Sequence, residues 1–270
     1  MEKLVKDIAK QIMDRINITP DVAIVLGSGL SDILDDLENK VVVPYDELSG
    51  MPITNVKGHK NQFIFGKLNN KYVIVMQGRF HLYDGFSAKQ VVMPIYIFKE
   101  LGIKTLVLTN AAGGINDNLE PGDIVMITDH INHTGQNCLI GGPIVDYGTK
   151  FIDMTSPYNK EYINIANQVA KNNKINLKQG TYIQFVGPFY ETKAEIMMAK
   201  TIGADLVGMS TVLEVEAANQ CKLDVLALSV VTNKAAGLSN KILGHEEVLE
   251  NSKKSSKNII LLIKEFIMHL

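Results

Sequence analysis

Short apolar runs alternate with stretches of helical periodicity along most of this chain. DVAIVL at 21–26 and DVLALSVVT at 224–232 have the length and the largely apolar character of buried strands. Between them, NKEYINIANQVAKN at 159–172 spaces its apolar residues three and four apart, as an amphipathic helix does. Together these patterns predict an α/β fold in which helices flank a mixed central β-sheet.

One pair of runs predicts a hairpin, which would add antiparallel strands to the sheet. QFIFGKL at 62–68 and KYVIVMQ at 71–77 flank Asn69 and Asn70, and asparagine tolerates the positive φ of a tight turn. SAKQVVMPIYIFKELG at 87–102 predicts one helix despite its internal proline. By the same reasoning we expect strands at 104–109, 123–128, 180–186 and 204–209, and helices after the glycine turn at 27–29 and at 192–203, 212–222 and 245–270.

The composition is that of an ordinary globular protein. Of the 270 residues 46% are hydrophobic and 21% charged, which argues against disorder and fibrous repeats. The 27 Lys and Arg against 29 Asp and Glu leave a net charge of −2, which argues against a nucleic-acid binder. Cys138 and Cys221 lie far apart, which excludes a disulfide scaffold and indicates a reducing compartment. Without a signal-peptide pattern or an apolar run of about 18 residues, we expect a cytoplasmic protein with a single domain over 1–270.

The first candidate for chemistry is Gly27-Ser28-Gly29, which follows the strand at 21–26. Its glycines let the backbone approach an anion closely, and the N-terminus of a following helix adds a partial positive charge. A tight strand-to-helix turn explains the same residues. A lone G-x-G without the rest of a dinucleotide fingerprint is weak, so a Rossmann cofactor site is not expected.

A second candidate follows the strand at 71–77. Arg79 and His81 alternate in phase, so in an extended chain both side chains point the same way. A guanidinium fork beside an imidazole suits a phosphate oxyanion, although a solvated surface turn is the alternative. Two further segments, Asn110–Gly114 and Gly208–Thr211, follow strands and carry small or hydroxyl residues. If these segments converge with Arg79 and His81, they predict a phosphate site.

Some polar residues outside these segments have competing explanations. His130 and His133 lie three apart, but no nearby Cys or Glu completes a zinc set, so no metal is expected. Glu191 is either an acid favoured at a helix start or a buried acceptor for a ligand N–H. Asn233 ends a strongly apolar strand, and a primary amide in that position indicates contact with a ligand. His245 begins the final helix, where exposure to solvent is a sufficient reason for a histidine.

Several longer motifs run through the whole chain. They are LGSGL (26–30), GH (58–59), MQGRFHLYDG (76–85), TNAAGGIN (109–116), GDIVMITDHIN (122–132), GPFYET (187–192), GADLVGMSTVLEVEAA (203–218), VTNK (231–234) and GHEEV (244–248). In this order and at this spacing they resemble the trimeric purine nucleoside phosphorylase family. The methylthioadenosine phosphorylases share much of the framework, so the base pocket must decide between them.

The resemblance implies a nucleoside-phosphorylase fold, assembled as a homotrimer with sites near the subunit interfaces. It assigns phosphate to Ser28, His59, Arg79, His81, the backbone N–H of Ala111 and Ser210. It assigns ribose to Tyr83, Met209 and His245, with Phe151 lent by a neighbouring subunit. It assigns the purine to Tyr190, Glu191, Val207 and Asn233, and it makes His81, Glu191 and Asn233 the catalytic residues. Two departures are Asp84, where the family often has Glu, and the spacer AAGLSNKILG (235–244), which looks like the bacterial branch.

The activity that the resemblance implies is reversible phosphorolysis of 6-oxopurine nucleosides and deoxynucleosides such as inosine and guanosine, in purine salvage. The products are the free base and α-(deoxy)ribose 1-phosphate, and inorganic phosphate is a co-substrate, with no cofactor or metal. Methylthioadenosine phosphorylase is the nearest alternative; it would expect an Asp for the adenine amino group, whereas Asn233 and His245 favour a 6-oxopurine nucleoside with a free 5′-hydroxyl. A non-catalytic purine- or phosphate-binding protein is the alternative from another class.

Overall fold

The computed structural model describes residues 1–27, 29–56, 59–141, 147–239 and 245–270, with side chains in the last stretch from 256 onward. The strands are β1 Val22–Val25, β2 Glu38–Pro44, β3 Gln62–Leu68, β4 Lys71–Gln77, β5 Thr105–Gly114, β6 Ile124–Asn132, β7 Leu177–Gln184, β8 Leu206–Gly208 and β9 Asp224–Lys234. The α-helices are α1 Glu2–Ile16, α2 Ala88–Val91, α3 Met93–Glu100, α4 Lys160–Asn172, α5 Lys193–Thr201, α6 Val212–Gln220 and α7 His245–Met268.

The strands form one mixed sheet in the order β2-β3-β4-β1-β5-β8-β7-β6-β9. β9 also pairs with β5, so the sheet curls back on itself. β1 runs parallel to β4 and β5, and β5 runs parallel to β9, which brings the carboxyl ends of these four strands to one edge. The predicted mixed sheet flanked by helices is confirmed.

The alternation of side chains along β1 explains why helices cover both faces. Ala23 and Val25 pack into a core that includes apolar residues of α1 and α3, whereas Val22 and Ile24 pack into a second core with α4 and α7. Successive strand residues point to opposite faces, and a strand buried on both faces reads as a continuous apolar run. The run at 21–26 therefore reflects a central position in the sheet.

Three local predictions were wrong, and one strand was missed. The strand expected at 104–109 does not end there: Asn110–Gly114 continues β5, because its backbone pairs with β9. The helix expected at 87–102 is two helices, and Pro94 lies at the start of α3, where a missing N–H costs little. The turn at 27–29 leads into a 3₁₀ helix at Ser31–Asp36 instead of an α-helix. β2 was not anticipated, because it is an edge strand with mostly exposed side chains.

The hairpin prediction is confirmed, since β3 and β4 pair antiparallel around Asn69, whose φ is 54°. Cys138 and Cys221 are both buried free thiols. Within the described residues, none of the helices combines the length and apolar character that crossing a membrane requires.

Candidate active site

A pocket opens at the edge where the carboxyl ends of β1, β4, β5 and β9 meet. Its empty volume is about 790 Å³ when the open space at its mouth is included. The curl of the sheet adds the end of β8 to the same wall. Of the residues assigned above, the pocket is lined by His59, Arg79, His81, Tyr83, Ala111, Tyr190, Glu191, Val207, Met209, Ser210 and Asn233.

Arg79 is the buried cation of this pocket, with only 2% of its surface exposed. Its Nε donates to Oε1 of Glu214 at 3.0 Å, and its Nη1 donates to the carbonyl oxygen of Thr109 at 2.8 Å and to Oγ of Ser210 at 3.3 Å. Its Nη2 has no hydrogen-bond partner among the described residues. The guanidinium is therefore held on one side and keeps a buried donor for an anion.

Three rings stack beside Arg79. The ring centroids of His59 and His81 lie 5.6 Å apart, and those of His81 and Tyr83 lie 4.5 Å apart. Burial, reinforced by the charges of Arg79 and His59, holds the pKa of His81 well below its usual 6.5. These surroundings favour the neutral imidazole, and a bound anion would raise the pKa of His81.

Asp84 lies close to this stack but bonds elsewhere. Its Oδ2 is 3.9 Å from Nδ1 of His81 and accepts a hydrogen bond from Oγ1 of Thr54 at 3.0 Å. Thr54 and Asn61 in turn hydrogen-bond each other through side chain and backbone. Asp84 therefore links the His81 side of the pocket to Thr54 and Asn61.

A strained turn between β8 and α6 supplies the next wall. Thr211 has φ 84°, a rare conformation for a β-branched residue that persists only where the surroundings hold it. Nδ2 of Asn110 donates to its Oγ1 at 2.9 Å, and Oγ of Ser210 lies 3.2 Å from the same oxygen. Ala111 follows Asn110, and the register of β5 against β9 shifts just beyond it, at Ala112. Bulges of this kind commonly adjoin active sites.

Glu191 and Asn233 add hydrogen-bonding groups to the lining of the same pocket. Glu191 is 8% exposed, its Oε1 has no hydrogen-bond partner among the described residues, and burial raises its pKa. Oδ1 of Asn233 accepts from Oγ1 of Thr232 at 2.9 Å, and its Nδ2 donates to the carbonyl oxygen of Lys234 at 2.9 Å. An amide has a further lone pair and a further hydrogen. Asn233 can therefore still donate to and accept from a ligand.

Two glycines bring the remaining lining residues together. A Cβ on Gly113 would lie 3.0 Å from Cγ1 of Val207 and 3.4 Å from Nδ2 of Asn233. A Cβ on Gly187, which has φ 75°, would lie 3.1 Å from both Cγ of Met209 and Cδ1 of Tyr83. Only glycine leaves room for these pairs, so each glycine sets the shape of one part of the pocket.

Three assigned residues are not part of the pocket as described. Phe151 is 88% exposed and lies outside the lining. Ser28 lies outside the described residues, and His245 is described only as the first residue of α7, without its side chain. Conversely, Glu214 was missed by the sequence reasoning. The T-x-x-E pattern from Thr211 to Glu214, which is typical of a helix start, was the available signal.

The two histidines considered for metal binding have other surroundings. Nδ1 of His130 lies 3.0 Å from the hydroxyl of Tyr158, and burial lowers the pKa of His130 to about 4. His133 packs against the ring of Phe185 at 4.8 Å. In the part of the chain that the structure describes, no three His, Cys, Asp or Glu side chains are grouped to hold a metal ion.

Comparisons with known proteins agree with this architecture. Residues 21–268 match the sequence profile of the phosphorylase superfamily. The chain is 40% identical to purine nucleoside phosphorylase 1 of Bacillus subtilis over 99% of this chain and 98% of that protein, and 38% identical to the purine nucleoside phosphorylase of Bos taurus over 94% and 90%.

Solved structures extend this similarity to the whole fold. The Schistosoma mansoni purine nucleoside phosphorylase in complex with inosine superposes with a TM-score of 0.94 at 38% identity, covering 99% of this chain and 96% of that one. A Schistosoma mansoni purine nucleoside phosphorylase in complex with adenosine superposes with a TM-score of 0.94 at 37% identity, covering 99% of this chain and 97% of that one. By sequence and by fold, this chain belongs to the purine nucleoside phosphorylase family within the phosphorylase superfamily.

Proposed function

We propose that this protein catalyses the reversible phosphorolysis of 6-oxopurine ribonucleosides and 2′-deoxyribonucleosides to the free base and α-pentose 1-phosphate. The observation that carries the proposal is one pocket lined by two chemically different sets of groups. Arg79 and His81 offer donors to an anion, and Glu191 and Asn233 offer acceptors and a donor to a base. A phosphate would occupy a phosphate end formed by the first set and a purine a base end formed by the second, with the pentose between them beside Tyr83 and Met209.

The phosphate end would supply both the nucleophile and charge stabilisation. Cleavage of a glycosidic bond passes through an oxocarbenium-like state at the anomeric carbon. A phosphate oxygen forms the new bond to that carbon, while the electron pair of the broken bond leaves with the purine. Arg79, His81 and Ser210, with His59, Ser28 and the backbone of Ala111, would hold the phosphate in line for attack.

The base end would stabilise the leaving group. As the bond breaks, negative charge spreads into the purine, whose N7 takes up a proton. Asn233 would accept from the protonated N7 and donate to O6, and Glu191 would accept from N1–H. Hydrogen bonds that strengthen as charge develops lower the barrier. Tyr190 and Val207 would pack against the ring, and His245 would meet the 5′-hydroxyl.

The direct test follows hypoxanthine release from inosine with and without inorganic phosphate. We expect release that depends on phosphate and yields ribose 1-phosphate. Binding of purine or phosphate without turnover would instead identify a non-catalytic sensor.

No organic cofactor or metal takes part in the proposed chemistry. The two buried free thiols are compatible with the reducing conditions of a cytoplasm.

We also propose a homotrimer in which Phe151 completes the pentose site of a neighbouring subunit. Phe151 is exposed on a segment that is anchored at both ends. On one side Tyr147 stacks on Tyr96 at 5.2 Å and donates to Glu100 at 2.6 Å. On the other side Nδ2 of Asn159 donates to Asp224 at 2.7 Å. An exposed aromatic ring on a held segment suits insertion into another surface.

Replacing Phe151 with alanine should raise KM for inosine by about tenfold, from lost aromatic burial of roughly 1.5 kcal/mol, with little change in the affinity for free phosphate. The measurements are initial rates and calorimetric titration with phosphate. Val42→Ala is the matched control, because Val42 is 49% exposed on the edge strand β2. Sedimentation of the parent as a fully active monomer would contradict the shared site.

A further inference from the structure

A buried acid lies behind the proposed phosphate end and outside the lining of the pocket. Glu214 is on α6, is 2% exposed, and has Val212, Leu213 and Val215 as fully buried neighbours. Its Oε1 accepts from Nε of Arg79 at 3.0 Å, and each side chain of this pair is only 3% exposed. A carboxylate in such surroundings is costly unless it is paired. The buried carboxylate of Glu214 therefore depends on its contact with Arg79.

The contact determines how Arg79 can meet a ligand. A guanidinium is planar, so bonds from two of its nitrogens fix both its plane and its rotation. Nε is bound by Glu214 and Nη1 by Thr109 and Ser210, which leaves Nη2 as the buried nitrogen without a partner among the described residues. Without the hydrogen bond to Glu214, the guanidinium of Arg79 could rotate about the last bonds of its side chain. The direction in which Nη2 points would then no longer be fixed.

Glu214 also acts on the strained turn that supplies Ser210, through Arg79. It is the third residue of α6 after Thr211, and Nη1 of Arg79, whose Nε it binds, donates to Oγ of Ser210 at 3.3 Å. Glu214 therefore holds the guanidinium that joins the end of β4 to the turn between β8 and α6. Arg79 and Glu214, which the hydrogen bond joins, lie 135 residues apart in sequence.

We propose that Glu214 is a positioning residue for phosphate, which orients the guanidinium of Arg79 through the hydrogen bond that it accepts from Nε. The inference rests on the proposed function, in which the anion at Arg79 is phosphate. The charge of Glu214 repels a phosphate dianion across a short distance of low dielectric. Any benefit of Glu214 to phosphate binding therefore comes from geometry, and charge and geometry act in opposite directions.

Glutamine and alanine separate these two contributions. Glu214→Gln keeps an oxygen that accepts from Nε and removes the charge, so KM for phosphate should stay the same or fall. Glu214→Ala removes the oxygen, and KM for phosphate should rise about tenfold or more, as expected for loss of a charge-assisted hydrogen bond, while KM for inosine changes less than about twofold. Glu216→Gln is the matched control: Glu216 lies on the same helix and accepts from Nδ2 of Asn132, outside the pocket.

Titration with inorganic phosphate, by calorimetry, repeats the comparison without turnover. If the parent binds phosphate but releases no hypoxanthine, the proposed function fails while this test of Glu214 still applies. Equal weakening of phosphate binding by glutamine and alanine would overturn the proposal, and so would an alanine variant with parental phosphate affinity. Should Glu214→Ala not fold, Glu214→Asp replaces it. Aspartate keeps the charge but withdraws the oxygen from Nε, so it should bind phosphate more weakly than Glu214→Gln, and the opposite order would refute positioning.

Discussion

Replacing Asn233 with aspartate is expected to lower kcat/KM for inosine by about tenfold to several hundredfold, because each unmatched buried polar group costs about 1–3 kcal/mol. A 6-oxopurine presents the O6 acceptor and gains a proton on N7 as it leaves. The amide serves both through its NH₂ and its oxygen. The new carboxylate has no donor for O6. Its second oxygen also takes the place of Nδ2, which lies 2.9 Å from the carbonyl oxygen of Lys234 in the parent.

Adenosine should respond differently to the same change. Its 6-amino group is a donor, and the carboxylate can accept from it and from the protonated N7. Adenosine should therefore lose less activity than inosine, or gain some. The measurement is the ratio of kcat/KM for inosine to that for adenosine in Asn233→Asp and in the parent.

Asn233→Ala is the matched control for this prediction. Alanine removes the donor and the acceptor together, so both substrates should lose activity and the ratio should change less than with aspartate. Thermal unfolding of both variants checks that the pocket still folds. If the ratio in Asn233→Asp equals that of the parent, Asn233 does not recognise position six of the purine.

Replacing Arg79 with alanine should lower kcat/KM for phosphate by about a hundredfold or more, since hydrogen bonds to a charged group contribute about 1.5–3 kcal/mol each. It should also destabilise the fold by about 3–5 kcal/mol, because it leaves the carboxylate of Glu214 buried without its partner. Phosphate-dependent rates and chemical denaturation measure the two effects. A parental dependence on phosphate would exclude Arg79 from phosphate binding.

A double variant separates the two effects of losing Arg79. Arg79→Met combined with Glu214→Leu removes both charges, leaves no polar group of this pair buried without a partner and keeps most of the side-chain volume. Its free energy of unfolding should return close to that of the parent, whereas its phosphate dependence should remain as weak as that of Arg79→Ala. Recovery of activity along with stability would mean that Arg79 acts only through the fold.

The polar residues at strand ends were largely predictable because their signal is local. Arg79 and His81 share a phase directly after an apolar run, and the structure places both in the pocket. Asn233 lies near the end of a strongly apolar strand and lines the same pocket. In each case the neighbouring residues already indicate burial, so an unexpected polar side chain stands out.

Glu214 and the segment Asn110–Gly114 were not predictable in the same way. Thr211 to Glu214 reads as an ordinary helix start, so the sequence offers a sufficient local explanation for the acid. Its burial against Arg79 depends on how α6 packs under the sheet. Asn110–Gly114 has the small residues of a loop, but its pairing with β9 extends the strand. Both outcomes depend on partners more than 100 residues away.

The sequence by itself determined most of the elements and the α/β class, because apolar periodicity and backbone preferences act over a few neighbouring positions. Its motifs also assigned most residues of the pocket, but through their resemblance to a known family. Only the tertiary structure decided that β9 pairs with β5, which curls the sheet and joins the separate strand ends into one pocket. It also decided that Arg79 meets Glu214 and that Asn233 meets Thr232 and Lys234. Hydrogen-bond partners of buried polar groups are set by which distant segments come together, and the chain must satisfy them all at once in a single fold.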